Sequence, residues 1–298
     1  MTSTRPDPTT FLSGDAGDVT HPVRRTKRRL GELAYGALDT LAGTRRGATR
    51  LARSAPAPLD VLVIGVYRPG SLLAEALPAL LSERHRVRIA LGSAGPPDEP
   101  LREHTVAEGL TGGKFQNLNR VLEDAAWAGA PDWTIAIDDD VRLPRAFLDR
   151  FVGVCEAFEL DLAQPAQTLR SHSAWKVTRR RPASLVRETR FVEIGPVSAF
   201  GRAAAAELLP FPQLRYGWGL DLHWAAVAAE RGWRLGVVDA LPVRHEFGVV
   251  ASAYLREDAV EEAARFLAER PYLPSERAGE VVAVHRRLAA ATGSRRRG

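Results

Sequence analysis

Two uninterrupted apolar runs constrain this chain most. LDVLVIGVY ends at Tyr67, between Pro58 and the Arg68-Pro69-Gly70 turn, and WTIAID ends at Asp138. A strand with one wet face alternates apolar and polar residues, so a run without alternation is buried on both faces, as inside a parallel sheet. Helical patterns separate the runs. One covers 71–82, with Ser71 placed as N-cap before Leu72, Leu73, Ala76 and Leu80, and another is FQNLNRVLEDAAWAG. With a further strand over 86–91, the βαβα order predicts an α/β fold, a mostly parallel central sheet flanked by helices. Ligands of such sheets gather at the carboxyl ends of the strands. Val66, Tyr67 and Arg68, at the end of the first strand, are therefore expected beside a bound ligand.

The second half predicts a helix over 144–158, strands over 161–165 and 187–193, helices over 202–209 and 220–231, and a strand through WRLGVVD. Two helices, 252–270 and 275–291, are expected to close the chain. Ahead of the sheet, 1–23 is rich in Thr, Ser, Asp, Gly and Pro and is expected to be disordered. Segment 24–56 predicts a basic amphipathic helix and an Ala-Pro linker, with Leu30, Leu33, Ala34, Ala37, Leu38 and Leu41 at helical spacing. Such a helix either packs on the body or lies on a membrane surface or partner. The chain thus divides into 1–23, an N-terminal helical extension over 24–56, one α/β domain over 57–250, and C-terminal helices with a basic tail over 251–298.

The net charge of +5 is uneven along the 298 residues. Residues 1–56 hold ten Lys or Arg against five acids, and Arg295, Arg296 and Arg297 add three more positive charges. The body between is slightly acidic, which argues against nucleic acid as a partner, since that needs cations along a folded face. Cys155 is the only cysteine, which excludes an intramolecular disulfide or a site of several thiolates and fits a reducing cytoplasm. The first thirty residues lack a signal-like apolar core, and no run of about 18 apolar residues occurs. The expectation is a cytoplasmic protein, with peripheral contact at the inner face of the membrane through the basic helix as a further option.

The sharpest motif is IAIDDDVRLP, where a buried strand runs into Asp138, Asp139 and Asp140. Adjacent carboxylates repel unless a cation neutralises them, and carboxylate oxygens suit Mg²⁺ or Mn²⁺. The plainer alternative is a solvated acidic turn capping the next helix. Upstream, TGGKFQNLN sets Lys114 at a helix start, a natural anion site, with Asn117 and Asn119 either on the ligand or capping locally. Downstream, YGWGLDLHW brings Asp221 into a helix start behind Gly217 and Gly219, with Trp218 either stacking on a ring or joining the core. His245 follows another strand end, as a ligand or a packed ring. Arg179, Arg180, Arg181, Arg187 and Arg190 near Trp175 form either an anion site or a solvated basic loop.

Strand, helix, then IAIDDDV at a strand end resembles the DxD region of GT-A glycosyltransferases, particularly glycosyltransferase family 2, over about residues 59–248. KFQNLN, the acidic strand end, AQPA and WGLD together also resemble an uncharacterised glycosyltransferase-like domain family of unknown function. The resemblance implies a GT-A nucleotide-diphospho-sugar transferase fold and sugar transfer from a nucleotide-sugar donor to an acceptor hydroxyl of a glycan, lipid or small molecule. It assigns Asp138 to the ribose side and, with Asp140 and His245, to an Mn²⁺ or Mg²⁺ site. Asp139, Lys114 and Asn117 fall on the donor side. Trp218, Gly219 and Glu193 fall on the acceptor side, with Asp221 as general base of an inverting transfer. Two departures stand out: the second strand ends in LGSAG without an acid, and the Gln-Arg-Trp motif of processive enzymes is absent. A sugar-phosphate nucleotidyltransferase ranks lower, because VYRPGS after the first strand has one glycine where that class carries a glycine-rich, lysine-bearing loop. A nucleotide-sugar-binding module without turnover is the remaining alternative.

Overall fold

The computed structural model describes residues 5–13, 22–127, 129–246 and 255–287. In chain order its elements are α1 (Pro22–Ala42), α2 (Thr44–Ser54), β1 (Asp60–Tyr67), α3 (Leu73–Leu80), β2 (Arg86–Ser93), β3 (Thr105–Ala107), α4 (Lys114–Asp124), β4 (Trp133–Ile137), β5 (Val141–Arg142) and α5 (Phe147–Ala157). There follow β6 (Leu162–Gln167), β7 (Val186–Thr189), β8 (Val197–Gly201), α6 (Arg202–Leu208), α7 (Leu220–Arg231), β9 (Leu235–His245), α8 (Arg256–Leu267) and β10 (Val281–His285).

The strands form one sheet in the order β10-β7-β9-β6-β8-β4-β1-β2-β3, with β5 paired to β9. Along that path only β8 and β7 run against the rest, so the sheet is mixed but mostly parallel. In β1, Val61 and Val63 join the core under α2, α3 and α5, while Leu62 and Ile64 join the core under α4, α6, α7 and α8. This is the two-residue period of a strand covered on both faces, and it explains the unbroken apolar run.

Several elements differ from the sequence reading. Helix α3 starts after Leu72, one residue later than expected; the Ser71 hydroxyl still accepts the Leu73 N–H, at a long 3.4 Å, while the Leu72 N–H goes to the Asp139 carbonyl at 2.8 Å and ties the helix start to the acidic turn. The basic segment is two helices, broken at Gly43 with φ 69°. Of these, α2 packs on α5 so closely that a Cβ on Gly153 would meet Ala52 Cα at 2.4 Å. The helix expected over 275–291 is instead a short 3-10 turn, Ser275–Arg277, and strand β10, paired antiparallel with β7. VVAVH is β-branched, and β7 offers an unpaired row of backbone groups that a helix would leave unsatisfied. Within the segment expected to be disordered, residues 5–13 hold a 3-10 turn, Pro8–Thr10, and bury Phe11; Thr10 Oγ1 lies 3.0 Å from the Tyr272 hydroxyl. Residues 1–4, 14–21 and the basic tail lie outside the described residues. No helix among the described residues is long and apolar enough to cross a membrane.

Candidate active site

The carboxyl ends of β4, β6 and β9 meet at one edge of the sheet. Because β8 runs the other way, the loop entering it arrives at the same edge. The backbone carries these elements together: the Asp138 N–H donates to the Pro196 carbonyl at 2.8 Å, and the β5–β9 ladder sets Val141 opposite His245. That ladder decides where the histidine ring goes. His245 Nε2 lies 2.9 Å from Asp140 Oδ1, and its Nδ1 lies 3.3 Å from the His172 carbonyl. Burial lowers the imidazole's affinity for a proton, but the hydrogen bond to Asp140 and the charges of Asp140, Asp138 and Glu193 outweigh it and bring His245 to about 9.

Ligand atoms of Asp138, Asp140 and His245 all lie within 4.8 Å of one another, the one such cluster among the described residues. Two carboxylates and an imidazole suit Mn²⁺ well, and Mg²⁺ through the oxygens. With Nδ1 facing a carbonyl, the neutral ring presents the Nε2 lone pair toward the carboxylates. Asp138 also meets Lys114, whose Nζ lies 2.6 Å from Oδ1 and donates to the Ile194 carbonyl at 3.0 Å. A Cβ on Gly195 would sit 2.6 Å from Asp138 Oδ2 and 3.2 Å from Lys114 Nζ, so a side chain there would push that pair out of its present position.

The three aspartates part company. Asp139 binds Arg68 through its Nε at 3.1 Å and its backbone N–H at 3.2 Å, so the two residues lock the end of β1 to the acidic turn. Tyr67 is fully buried, with its hydroxyl 2.8 Å from Thr105 Oγ1, and Val66 packs against the core. The Asn117 side chain donates to the Gly112 carbonyl at 2.9 Å, and Asn119 bonds the backbone of Phe211 in both directions. None of Val66, Tyr67, Arg68, Asn117 and Asp139 lines the cavity beside this cluster, and of the three candidate ligands Asp140 stays behind its wall.

That cavity, about 330 Å³, is lined by Lys114, Asp138 and His245 and also by Glu193, Trp218, Gly219 and Asp221. Helix α7 begins after Gly219, at φ 83°, which puts Asp221 inside the first turn and leaves the cap to the glycine. Its carboxylate takes N–H groups of Leu222 and Ile194, yet burial, then the neighbouring Glu193, raises it to about 8. Glu193 is itself raised to about 7, chiefly by burial, while holding Gln167 Nε2 at 2.8 Å and Thr178 Oγ1 at 3.1 Å. Trp218 packs partly on the core and meets the Arg256 guanidinium over its ring at 5.9 Å.

The arginine cluster does not act as one group: Arg181 and Arg190 are exposed, as a solvated loop would have them, but the others turn inward to partners in the chain. Arg187 is buried on Asp239 at 2.9 Å, Arg180 is buried between Glu32 and Asp39 of α1, and Arg190 reaches Glu280 at 3.6 Å. Their carboxylate partners are far away in sequence, so local composition could not reveal them. Other contributors had no motif to mark them. Phe11 and Leu12 wall one side of the cavity, and Glu262 of α8 accepts the N–H groups of Arg215, Tyr216 and Gly217 at 2.7, 2.8 and 3.0 Å. A positive φ of 77° at Gly217, with Phe115 where a Cβ would stand, explains why that loop is glycine-rich.

No protein-family model matches the chain. No curated protein matches it either. Among solved structures it is similar to the 1–349 fragment of S. aureus TarS in complex with UDP-GlcNAc, at 14% identity and a TM-score of 0.47, covering 70% of this chain and 65% of that one. It is also similar to GalNAc-T7 with UDP, GalNAc and Mn²⁺, at 13% identity and a TM-score of 0.44, covering 66% of this chain and 45% of that one. The chain therefore spans less than two thirds of the length of either. Likeness at this level does not assign an activity.

Proposed function

We propose that this chain is a metal-dependent glycosyltransferase of the GT-A type, family 2-like, that moves a sugar from a nucleoside diphosphate to an acceptor hydroxyl with inversion. One observation carries the reading. Asp138 and His245 of the cation-holding trio line a single cavity together with Lys114 and two buried carboxyls of raised proton affinity, Asp221 and Glu193, while Asp140 stands behind them against His245.

Asp138, Asp140 and His245 would hold Mn²⁺ or Mg²⁺, which when bound neutralises charge on a leaving diphosphate. Lys114, at the start of α4 and on the cavity wall, supplies a second anion-binding element for the same phosphates. Asp221 as carboxylate takes the proton of the acceptor hydroxyl while that oxygen bonds the anomeric carbon and the carbon–phosphate-oxygen bond breaks. A carboxyl near 8 holds such a proton far better than an ordinary aspartate. Trp218 offers a flat apolar face to a sugar ring, and Glu193, lining the same cavity, is the further carboxyl assigned to the acceptor side. A cytoplasmic setting fits the lone, buried thiol of Cys155.

Calorimetric titration with UDP and GDP, with and without Mn²⁺, followed by a nucleotide-release screen over sugar donors, tests the proposal. Metal-dependent nucleotide binding with release from one donor is the expected result. Failure to bind either nucleotide overturns it, and binding without release from any donor or acceptor points to a non-catalytic module.

A further inference from the structure

Helix α1 is amphipathic but docks the wrong way round for an ordinary surface helix, whose apolar stripe faces the core. The side toward the body is polar or small. Glu32 and Asp39 hold Arg180, Glu32 also accepts the Leu169 N–H at 2.9 Å, and Gly31 fits against the Leu169 side chain. Tyr35 lies under the Arg180 guanidinium. Leu30, Leu33, Ala34, Ala37, Leu38 and Leu41, spaced by three and four residues, form the opposite face and are all exposed. The four leucines are 64%, 73%, 46% and 85% exposed.

We propose that this face docks on an anionic lipid bilayer, with α1 lying in the plane of the interface. Charge complementarity selects that occupant. Lys27 and Arg29 are exposed at the N-terminal end of the leucine stripe, and Arg45, Arg46 and Arg50, exposed on α2, follow in the chain directly after its other end. A row of exposed leucines about 16 Å long, with exposed cations at both ends of it along the chain, suits the headgroup boundary, where apolar side chains enter and Lys or Arg meet acidic lipid. A second copy of the chain would bring the same cations together. The polar clamp gives the arrangement its purpose: Glu32, Asp39 and Arg180 fix the helix to the body by its charged side, which leaves the apolar side free. The same clamp holds the loop after β6, so docking fixes the body against the bilayer through Leu169, near His172 of the cavity wall.

Flotation of the full chain with vesicles of phosphatidylcholine, alone or mixed with phosphatidylglycerol, tests this. The chain is expected to float with the mixed vesicles, to do so less as salt rises, and to stay behind with pure phosphatidylcholine. Leu33→Glu with Leu41→Glu is expected to lower affinity at least tenfold, since burying one leucine is worth about a tenfold change or more. Arg45→Glu with Arg46→Glu serves as a second variant that leaves the leucines in place and is expected to weaken binding to the acidic vesicles. Both pairs are exposed, so the thermal midpoint should not move. Equal flotation of wild type and both variants overturns the proposal, as does absence from both vesicle types. A dimer in solution that Leu33→Glu dissolves, without vesicle binding, assigns the face to a second copy and also overturns it.

Discussion

His245 Nε2 sits 2.9 Å from Asp140 Oδ1, joined by the two-residue ladder between β5 and β9. In the metal-free protein this contact holds a proton on the ring up to about pH 9. A metal needs the same nitrogen unprotonated, so it must displace that proton. Mn²⁺ affinity is expected to rise by up to about tenfold per pH unit between pH 6 and 8, with a proton released on binding. Titration calorimetry in buffers of different ionisation enthalpy measures both. Asp140→Ala should abolish Mn²⁺ binding and metal-dependent nucleotide binding, and unchanged affinity in that variant would remove the metal assignment.

Asp221 carries the proposed base, and its raised proton affinity gives two separable predictions. Turnover should climb with pH along an acidic limb near 7 to 8, and Asp221→Asn should lose about 100-fold or more in turnover while nucleotide affinity holds. The stability effect has the opposite sign. A carboxyl raised from 3.8 to about 8 favours the folded state most below pH 3.8, and that advantage is lost as pH rises through 8, because the buried group must ionise. The asparagine cannot ionise. Its thermal midpoint should therefore exceed that of the wild type by several degrees at pH 9, and by less at pH 5.

Lys114 and a metal both neutralise Asp138, but they have different consequences for the donor. Lys114→Ala removes one anion-binding group and frees Asp138 Oδ1, so nucleotide diphosphate affinity should fall about tenfold or more while Mn²⁺ binds at least as well. Gly195→Ala displaces the pair from the other side and should weaken Mn²⁺ and nucleotide together. Parallel titrations of the two variants distinguish the roles. Equal losses of metal and nucleotide in Lys114→Ala would place the lysine with the metal ligands instead.

The parts of this molecule legible in its sequence were those set by local pattern. LDVLVIGVY and WTIAID reported a sheet covered on both faces because double burial leaves few polar positions in a strand, here only Asp60 at the start of β1 and the small Thr134 in β4. The acidic strand end and the glycines before Asp221 mark sites by local chemistry, and the chain brings Asp138, Lys114 and Asp221 to one cavity. What stayed hidden depends on partners distant in sequence. VVAVH satisfies a helical spacing as well as a strand's, and only the open edge of β7 decides between them. Arg180 and Arg187 read as a charge run because Glu32, Asp39 and Asp239 are remote in the chain. Phe11 sits in a segment whose composition gives no sign of order, and it is buried by a fold already built around it.

Glu262 is the clearest of these hidden contributors, and its role can be tested without touching the cavity. Its two carboxylate oxygens accept three successive backbone N–H groups, from Arg215, Tyr216 and Gly217, immediately before Trp218 and the start of α7. Glu262→Ala removes the acceptor that these three backbone groups share. Hydrogen bonds to a charged acceptor contribute about 1.5–3 kcal/mol each, but the loop is partly open and water can replace some of them. A total loss of about 2–3 kcal/mol in unfolding free energy is expected by denaturant titration. Glu262→Gln should restore part of it, because one amide oxygen can still accept. The loop sets where Trp218 and Asp221 stand relative to each other. The alanine variant should therefore raise the acceptor KM and lower kcat, yet keep wild-type Mn²⁺ affinity at the other wall. Loss of metal binding in a variant that remains folded would show that the two walls are not independent.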